Sequence, residues 1–253
     1  KAVADGHKQV AVLVPTTVLA SQHLDNFKER MSGHPINIAA ISRFNTPKIN
    51  QQILAKTAQG QIDILIGTHR LLSSDVYFKD LGLLVIDEEQ RFGVRAKERL
   101  KKLKNEVDCL TLSATPIPRT LYMSLIHIKD LSTINTPPQD RLPVKTILAV
   151  NDDDVLKNAL LQELARGGQA FFIHNRVQSI AQRAEHLKKL LPQLRLAFVH
   201  GQMLPEEIDE IFHAFKQQRI DVLVSTTILE NGIDIPNANT ILIDHADTFG
   251  LSD

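Results

Sequence analysis

Short runs of β-branched and aliphatic residues alternate along the chain with longer stretches of helical periodicity, and this alternation constrains the fold more than any other feature. Strands that alternate with helices form parallel sheets whose faces the helices cover. The pattern therefore predicts an α/β protein with mostly parallel sheets. The predicted strands cover 9–17, 36–44, 62–69, 81–89 and 108–115 in the first half, and 144–150, 169–175, 195–201, 220–227 and 240–246 in the second.

The segment NTPPQDRLP, 135–143, separates the two sets of strands. It contains three prolines and no apolar periodicity, which is typical of a linker. The chain has 253 residues, enough for two domains of ordinary size. We therefore predict a first domain over 1–138 and a second over 139–253. One helix is expected to begin after Thr46, because threonine suits the cap and Pro47 the first helical position.

Two segments of the chain share one plan. In QIDILIGTHRLL (61–72) and RIDVLVSTTILE (219–230), an Ile-Asp pair precedes alternating aliphatic residues, and small polar residues follow. The similarity indicates either two copies of one core or a chance resemblance between buried strands.

Composition narrows the function classes. The 29 basic residues balance the 29 acidic ones, so any nucleic-acid site must be local. The longest apolar runs are strand-sized, which predicts no membrane partner. The single Cys109 fits a reducing cytoplasm, and the ten histidines have no metal-ligand spacing.

The opening KAVADGHKQV is interpreted as the tail of a helix, so we expect a fragment of a longer protein.

Polar residues follow the aliphatic runs of seven predicted strands, at the edge where open parallel sheets bind ligands. Any one group could be an ordinary strand end, but seven together favour a binding edge. They are Pro15-Thr16-Thr17, Gly67-Thr68-His69, Asp87-Glu88-Glu89-Gln90, Ser113-Ala114-Thr115-Pro116, Asn175-Arg176, His200-Gly201-Gln202 and Ser225-Thr226-Thr227.

Three adjacent carboxylates, Asp87, Glu88 and Glu89, follow the apolar run LGLLVI. An aspartate at a strand end can hold a water ligand of Mg²⁺, and a neighbouring carboxylate can activate the water that attacks a γ-phosphate. An acidic helix cap or a solvated turn is the alternative. The phosphate loop G-x-x-x-x-G-K-[ST] is missing from the chain, because none of its eleven glycines precedes a lysine.

Six segments occur in the order of the motifs of superfamily 2 helicases and translocases, and the chain resembles that family over essentially its whole length. They are PTTVLASQH, GTHRLL, VIDEEQRFGVRAKERLK, LSATPIPRTL, HGQM and TTILENGIDIPNANTILI. Within the family, RFGVRAKERLK, TPIPRTL and DTFGLSD resemble the branch that holds the bacterial transcription-repair coupling factors and the RecG-type fork helicases. ISRFNTPK and DLSTINTPPQDRLPVKT are closer to the coupling factors.

The resemblance implies two RecA-like domains that bind ATP and Mg²⁺ and track double-stranded DNA in the cleft between them. Asp87 would hold the Mg²⁺ hydration shell, Glu88 would be the catalytic carboxylate, and Gln90 would lie beside them. The implied residues at the ATP site and its coupling to DNA are Ser113, Thr115, Gly232 and Asp234. The implied contacts to the DNA backbone, which read no sequence, are Thr16, Thr17, Arg43, Thr68, His69, Asn175, His200, Gly201, Thr226 and Thr227.

In the whole protein, such a motor pushes stalled RNA polymerase off damaged DNA and recruits nucleotide-excision-repair proteins, through regions outside this chain.

The chain departs from the family pattern in two ways that affect the expected activity. Family members usually have histidine where this chain has Gln90, and an amide can hydrogen-bond to Thr115 but cannot become charged. The family's arginine-finger motif would follow FGLSD, so we expect the chain by itself to be inactive.

Three other functions remain open from the sequence. A RecG-type fork-remodelling helicase belongs to the same branch. An RNA helicase of the DEAD-box type is disfavoured, because DEEQ replaces DEAD and PTTVLA replaces a PTRELA-like stretch. The chain by itself could also be a non-catalytic binding module. Ten Phe, two Tyr and no Trp leave few platforms for stacking single-stranded bases, which favours backbone contact with a duplex.

Overall fold

The computed structural model describes residues 1–42, 45–92, 107–113, 130–136, 144–227 and 235–250. The chain divides into two compact units, Lys1–Leu142 and Pro143–Asp253. This division and the predicted one, between 138 and 139, both fall within 137–143, outside the described residues. The predicted boundary therefore stays a prediction.

The first unit is built on a parallel sheet of five strands in the order β2-β3-β1-β4-β5. Short 3₁₀ turns at His69–Leu72 and Glu89–Arg91 follow β3 and β4. The elements are β1 (Gln9–Leu13), α1 (Thr17–Arg30), β2 (Ile38–Ile41), α2 (Pro47–Ala58), β3 (Ile64–Gly67), β4 (Leu81–Asp87) and β5 (Asp108–Leu112).

The second unit is built on a parallel sheet of four strands in the order β7-β8-β6-β9. A 3₁₀ turn, Ala246–Thr248, follows β9. The elements are α3 (Asp153–Ala165), β6 (Gln169–Ile173), α4 (Val177–Leu190), β7 (Leu196–Val199), α5 (Pro205–Lys216), β8 (Val222–Ser225) and β9 (Ala238–Ile243). The two sheets confirm the predicted α/β class. Within the described residues, no helix is long and apolar enough to cross a membrane.

Local sequence explains where the first two helices begin. Thr16 caps α1, and its Oγ1 accepts a hydrogen bond from Leu19 N at 3.3 Å. Thr46 caps α2 in the same way, with Oγ1 accepting from Ile49 N at 3.3 Å and proline in the first turn. The predicted start of α2 is confirmed. The strand predicted over 9–17 ends earlier, because the threonines after Pro15 cap and begin a helix.

The central strand of the first sheet is buried on both faces. Val10 and Val12 pack in one apolar cluster with Leu19 of α1, whereas Ala11 and Leu13 pack in a second cluster on the other face. Burial of both faces explains why the run is continuously apolar rather than alternating. In the second unit, β6 contributes Ala170 and Phe172 to a cluster with residues of α4 and β8.

The two units repeat one arrangement, which confirms two copies of one core. In each sheet the first-occurring strand, β1 or β6, pairs in parallel with the strand of the Ile-Asp segment, β3 or β8, and with a later strand, β4 or β9. The aspartates that precede β3 and β8 also match. Asp63 Oδ2 accepts a hydrogen bond from Asn37 N at 2.7 Å, and Asp221 Oδ2 accepts from Arg195 N at 2.8 Å.

A glutamine begins the central strand of each unit and ties it to a neighbouring loop. Gln9 Nε2 donates to Thr57 O at 2.9 Å and to Ile62 O at 2.7 Å. Gln169 Nε2 donates to the corresponding carbonyls, Phe215 O at 2.7 Å and Ile220 O at 2.6 Å. Both glutamines are buried, and each amide gives two backbone carbonyls a hydrogen-bond donor.

The strand predicted over 144–150 is wrong. This stretch has no regular secondary structure and belongs to neither sheet. Its apolar side chains are exposed, Leu148 to 94%. An apolar run forms a strand only where its backbone finds ladder partners and its side chains find a core. Among the described residues β9 pairs with β6 alone, so the tertiary context overrides the local propensity.

Candidate functional site

The predicted carboxylates lie at the carboxyl end of β4. Asp87 is the last residue of the strand, and Glu88 takes a left-handed backbone conformation with φ 51° and ψ 54°. Glu88 N still donates to Leu112 O of β5 at 3.0 Å, so the turn begins within the sheet ladder. A non-glycine residue rarely adopts this conformation, and such residues concentrate at functional sites. The turn leaves Glu88 buried, with 8% of its surface exposed.

Asp87 is less buried and faces the first helix. Its side chain is 21% exposed, and His23 Nε2 of α1 lies 3.3 Å from Asp87 Oδ2. Sequence reasoning missed His23, although its place on the helix that follows the central strand was a usable signal. Within the described part of the chain, Oδ1 of Asp87 has no hydrogen-bond partner.

Gln90 connects the ends of β4 and β5. Its Nε2 donates a hydrogen bond to Glu88 Oε2, and its Oε1 accepts from Ser113 Oγ at 3.3 Å. The partner that the sequence suggested, Thr115, lies outside the described residues. The amide therefore links the candidate catalytic carboxylate to the segment after β5.

The predicted DNA contacts of the first unit follow β1 and β3. The Thr16 hydroxyl caps α1, and Thr17 is buried in its first turn. Thr68 follows β3 and is buried, whereas His69 is exposed at the start of a 3₁₀ turn. Arg43 lies outside the described residues.

The predicted contacts of the second unit follow β6, β7 and β8. Asn175 is exposed, and its Oδ1 accepts a hydrogen bond from Thr227 Oγ1 at 3.1 Å. Thr226 is buried directly after β8, at the position that Thr68 has after β3. His200 and the exposed Gly201 follow β7. Gly232 and Asp234 lie outside the described residues.

Metal binding can be tested against the donor set. No group of three or more His, Cys, Asp or Glu side chains that could hold a metal occurs in the described ranges. Mg²⁺ in nucleotide sites keeps several waters and needs only one or two protein carboxylates. A partly exposed aspartate at a strand end fits a water-mediated contact of this kind, so Asp87 fits the ion.

Two family descriptions match the two units. Residues 1–124 match the family described as DEAD/DEAH box helicase, and residues 153–252 match the helicase conserved C-terminal domain. The chain belongs to helicase superfamily 2. The predicted RecA-like fold of both domains is confirmed by these matches and by the two parallel sheets.

Within this superfamily the chain is similar to the transcription-repair-coupling factors. It is 56% identical to that of Escherichia coli (strain K12) over 248 residues, 98% of this chain and 22% of that protein. It is 52% identical to that of Staphylococcus epidermidis (strain ATCC 35984) over 252 residues, 100% of this chain and 22% of that protein. The chain thus spans about a fifth of the length of these relatives.

Among solved structures, the superfamily 2 chain is similar to RecG bound to a three-way DNA junction. The two share 38% sequence identity with a TM-score of 0.72, and the match covers 96% of this chain and 32% of that one.

Proposed function

We propose that the chain is the motor core of an ATP-dependent double-stranded DNA translocase. In the longer protein, the motor would displace stalled RNA polymerase at DNA lesions and couple transcription to nucleotide excision repair. The observation that carries the proposal is the group of polar residues at the ends of β4 and β5, where Gln90 links Glu88 to Ser113 and Asp87 lies next to Glu88. The identity to coupling factors over nearly the whole chain supports it.

In this proposal Glu88 is the general base. Its buried carboxylate is oriented by the Gln90 amide and would take the proton of the water that attacks the γ-phosphate of ATP. Asp87 would hold Mg²⁺ through water, and the bound ion would neutralise charge on the phosphates. Gln90 and Ser113 would pass a change at the nucleotide to the segment that follows β5.

Contacts to the DNA backbone would come from the strand ends of both units. Hydroxyl, amide and backbone N–H groups suit this task, because phosphate contacts hold a duplex without reading its sequence. RNA polymerase and repair proteins would bind through regions outside this chain.

A second candidate is a fork-remodelling helicase. The similarity to RecG on a three-way junction favours it, but the sequence identity is 38% compared with 56% for a coupling factor. The two functions differ in substrate. Unwinding of a three-way junction by the intact protein, without displacement of a stalled RNA polymerase, would select the fork helicase.

The experiment that tests the motor site uses Mg²⁺-dependent ATP binding and hydrolysis by the intact protein. Glu88→Gln is expected to abolish hydrolysis and keep ATP binding, because the amide preserves shape but cannot accept the proton. Asp87→Asn is expected to weaken Mg²⁺-dependent binding instead. The 253-residue chain by itself is the baseline and should show no turnover, since it contains no phosphate loop. Identical nucleotide titrations for the two variants would contradict the assignment of separate roles.

A further inference from the structure

A buried polar cluster lies at the carboxyl end of β9, and the proposed function does not use it. Asp244 directly follows the strand, and its side chain is only 4% exposed. His174 Nδ1 lies at hydrogen-bond distance from Asp244 Oδ2, 2.8 Å, and Arg183 Nε forms an ion pair with the same oxygen at 3.3 Å. Asn151 Nδ2 donates to Oδ1 at 3.4 Å. Three groups from separate segments therefore hold one carboxylate.

The imidazole of His174 extends this cluster to helix α4. Its Nε2 lies 2.8 Å from Ser179 Oγ, in the first turn of the helix. A carboxylate oxygen only accepts hydrogen bonds, so Nδ1 carries the proton and donates to Asp244. In the neutral ring, Nε2 then accepts from the Ser179 hydroxyl. The ring is thus anchored on both sides.

In the first unit, the aspartate at the equivalent position, Asp87, has different neighbours. Glu88 and His245 share a left-handed conformation, with φ 51° and 53°, and each begins a 3₁₀ turn after its strand. The seventh residue of the helix that follows the central strand faces the aspartate in both units: His23 of α1 faces Asp87, and Arg183 of α4 faces Asp244. In the second unit, protein groups enclose the carboxylate, which suits a structural role rather than metal binding.

The cluster surrounds the turn that carries Asn175. His174 N donates to Ser225 O of β8 at 2.8 Å, and Arg176 N donates to His174 O at 2.8 Å. The exposed Asn175 and Arg176 then line a pocket of about 160 Å³ together with Asp244 and Thr248. A change at the imidazole therefore reaches Asn175 through a single peptide unit.

We propose that Ser179, His174 and Asp244 form a positioning network that fixes the turn at Asn175 in the geometry for contact with a DNA phosphate. The inference rests on the proposed function, because the phosphate contact of Asn175 belongs to that proposal. Without the Ser179 hydroxyl, the imidazole keeps one anchor, and the turn gains conformational freedom. DNA binding must then remove that freedom, which weakens binding without altering the chemistry of ATP hydrolysis.

The test compares Ser179→Ala with two other variants of the intact protein. Gln178→Ala is the control, because Gln178 is the exposed neighbour of Ser179 on the same helix. Ser179→Thr keeps a hydroxyl and should rescue. The first readout is amide hydrogen exchange at His174 and Arg176, which should become faster in Ser179→Ala alone. The second is the duplex concentration for half-maximal ATPase stimulation, which should rise about 3- to 10-fold at an unchanged maximal rate.

The two readouts separate failure of the inference from failure of the proposed function. Unchanged exchange in Ser179→Ala overturns the positioning role. Faster exchange with an unchanged half-saturating duplex concentration overturns its connection to DNA. If duplex DNA does not stimulate the ATPase of the wild-type protein, the proposed function is wrong. The role of the network in DNA contact is then wrong too.

Discussion

A single carboxylate, Asp221, ties together the starts of two strands in the second unit. It precedes β8, and Arg195 precedes β7. Asp221 Oδ1 accepts from Arg195 Nη2 at 2.5 Å, and Oδ2 accepts from the Arg195 backbone N–H at 2.8 Å. Burial acts to raise the pKa of Asp221, but the side-chain and backbone hydrogen bonds from Arg195 outweigh it, and the pKa is lowered.

This shift predicts a pH-dependent effect of Asp221→Asn. A lowered pKa in the folded state stabilises the fold above the pKa of the unfolded chain, about 3.9, and the gain is lost as pH falls through the folded value. The variant should therefore melt about 2–4 °C lower at pH 7, and the difference should shrink below about pH 4. Thermal melts across this pH range provide the measurement.

Asp63→Asn is the matched control, because Asp63 lies at the equivalent strand junction and accepts from Asn37 N without an arginine partner. Its effect on the melting temperature at pH 7 should be smaller. If the two variants lowered the melting temperature equally at all pH values, the Arg195 contact would not stabilise the unit.

At this scale, the sequence predicted the residues that follow strands and missed those that reach them from helices. Asp87, Glu88 and Gln90 lie together at one strand end because residues adjacent in sequence share that edge. His23 reaches Asp87 only through the packing of α1 on the sheet. The position of His23 on the helix after the central strand indicates such a contact only once the packing of that helix on the sheet is considered.

At the scale of elements, the glutamines at the starts of β1 and β6 should stabilise the unit that each belongs to. Gln169→Ala removes one hydrogen bond from each of two carbonyls, Phe215 O and Ile220 O, and Phe215 O keeps the bond from Gln218 N. The loss should cost about 1–3 kcal/mol. Gln9→Ala should act in the same way on the first unit. Amide hydrogen exchange should therefore quicken in the second unit for Gln169→Ala and in the first for Gln9→Ala.

The control for these variants is Gln59→Ala, which changes an exposed glutamine at the end of α2. It should leave exchange in both sheets unchanged. If amide hydrogen exchange became faster throughout the chain in all three variants, the glutamines would not act on their own units alone.

Element types could be predicted from periodicity wherever a segment packs against its own unit. The two copies of the core follow the sequence pattern because each apolar run meets a neighbour of matching length. The segment 144–150 has the same pattern without ladder partners among the described residues, and its apolar residues remain exposed. Local propensity cannot report whether a partner edge is available.

At the scale of the whole molecule, the repeated core predicts that both units contact DNA at equivalent strand ends. Thr68 follows β3 and Thr226 follows β8, with 8% and 6% of their surfaces exposed. In the intact protein, Thr68→Ala and Thr226→Ala should each lower duplex-stimulated ATPase, by at most roughly 1.5–3 kcal/mol per lost bond to a phosphate. Duplex titrations of ATPase and thermal melts of both variants provide the measurement.

Thr46→Ala is the control that distinguishes a loss of DNA contact from a loss of stability in this experiment. The Thr46 hydroxyl caps α2, so its loss should lower the melting temperature without changing the response to duplex. If Thr68→Ala and Thr226→Ala behave like Thr46→Ala, the paired DNA contact is wrong.

The strand order of both sheets has a consequence for synthesis on the ribosome. In the first unit, β1 is made before both of its neighbours: it ends at Leu13, and they begin at Ile64 and Leu81. At roughly 5–20 residues per second, the nascent run VAVLV therefore waits for seconds before either partner emerges. Lys8 and Pro15 lie on either side of that run. A charged residue and a proline beside an exposed apolar segment lower its tendency to aggregate before its partner strands are made.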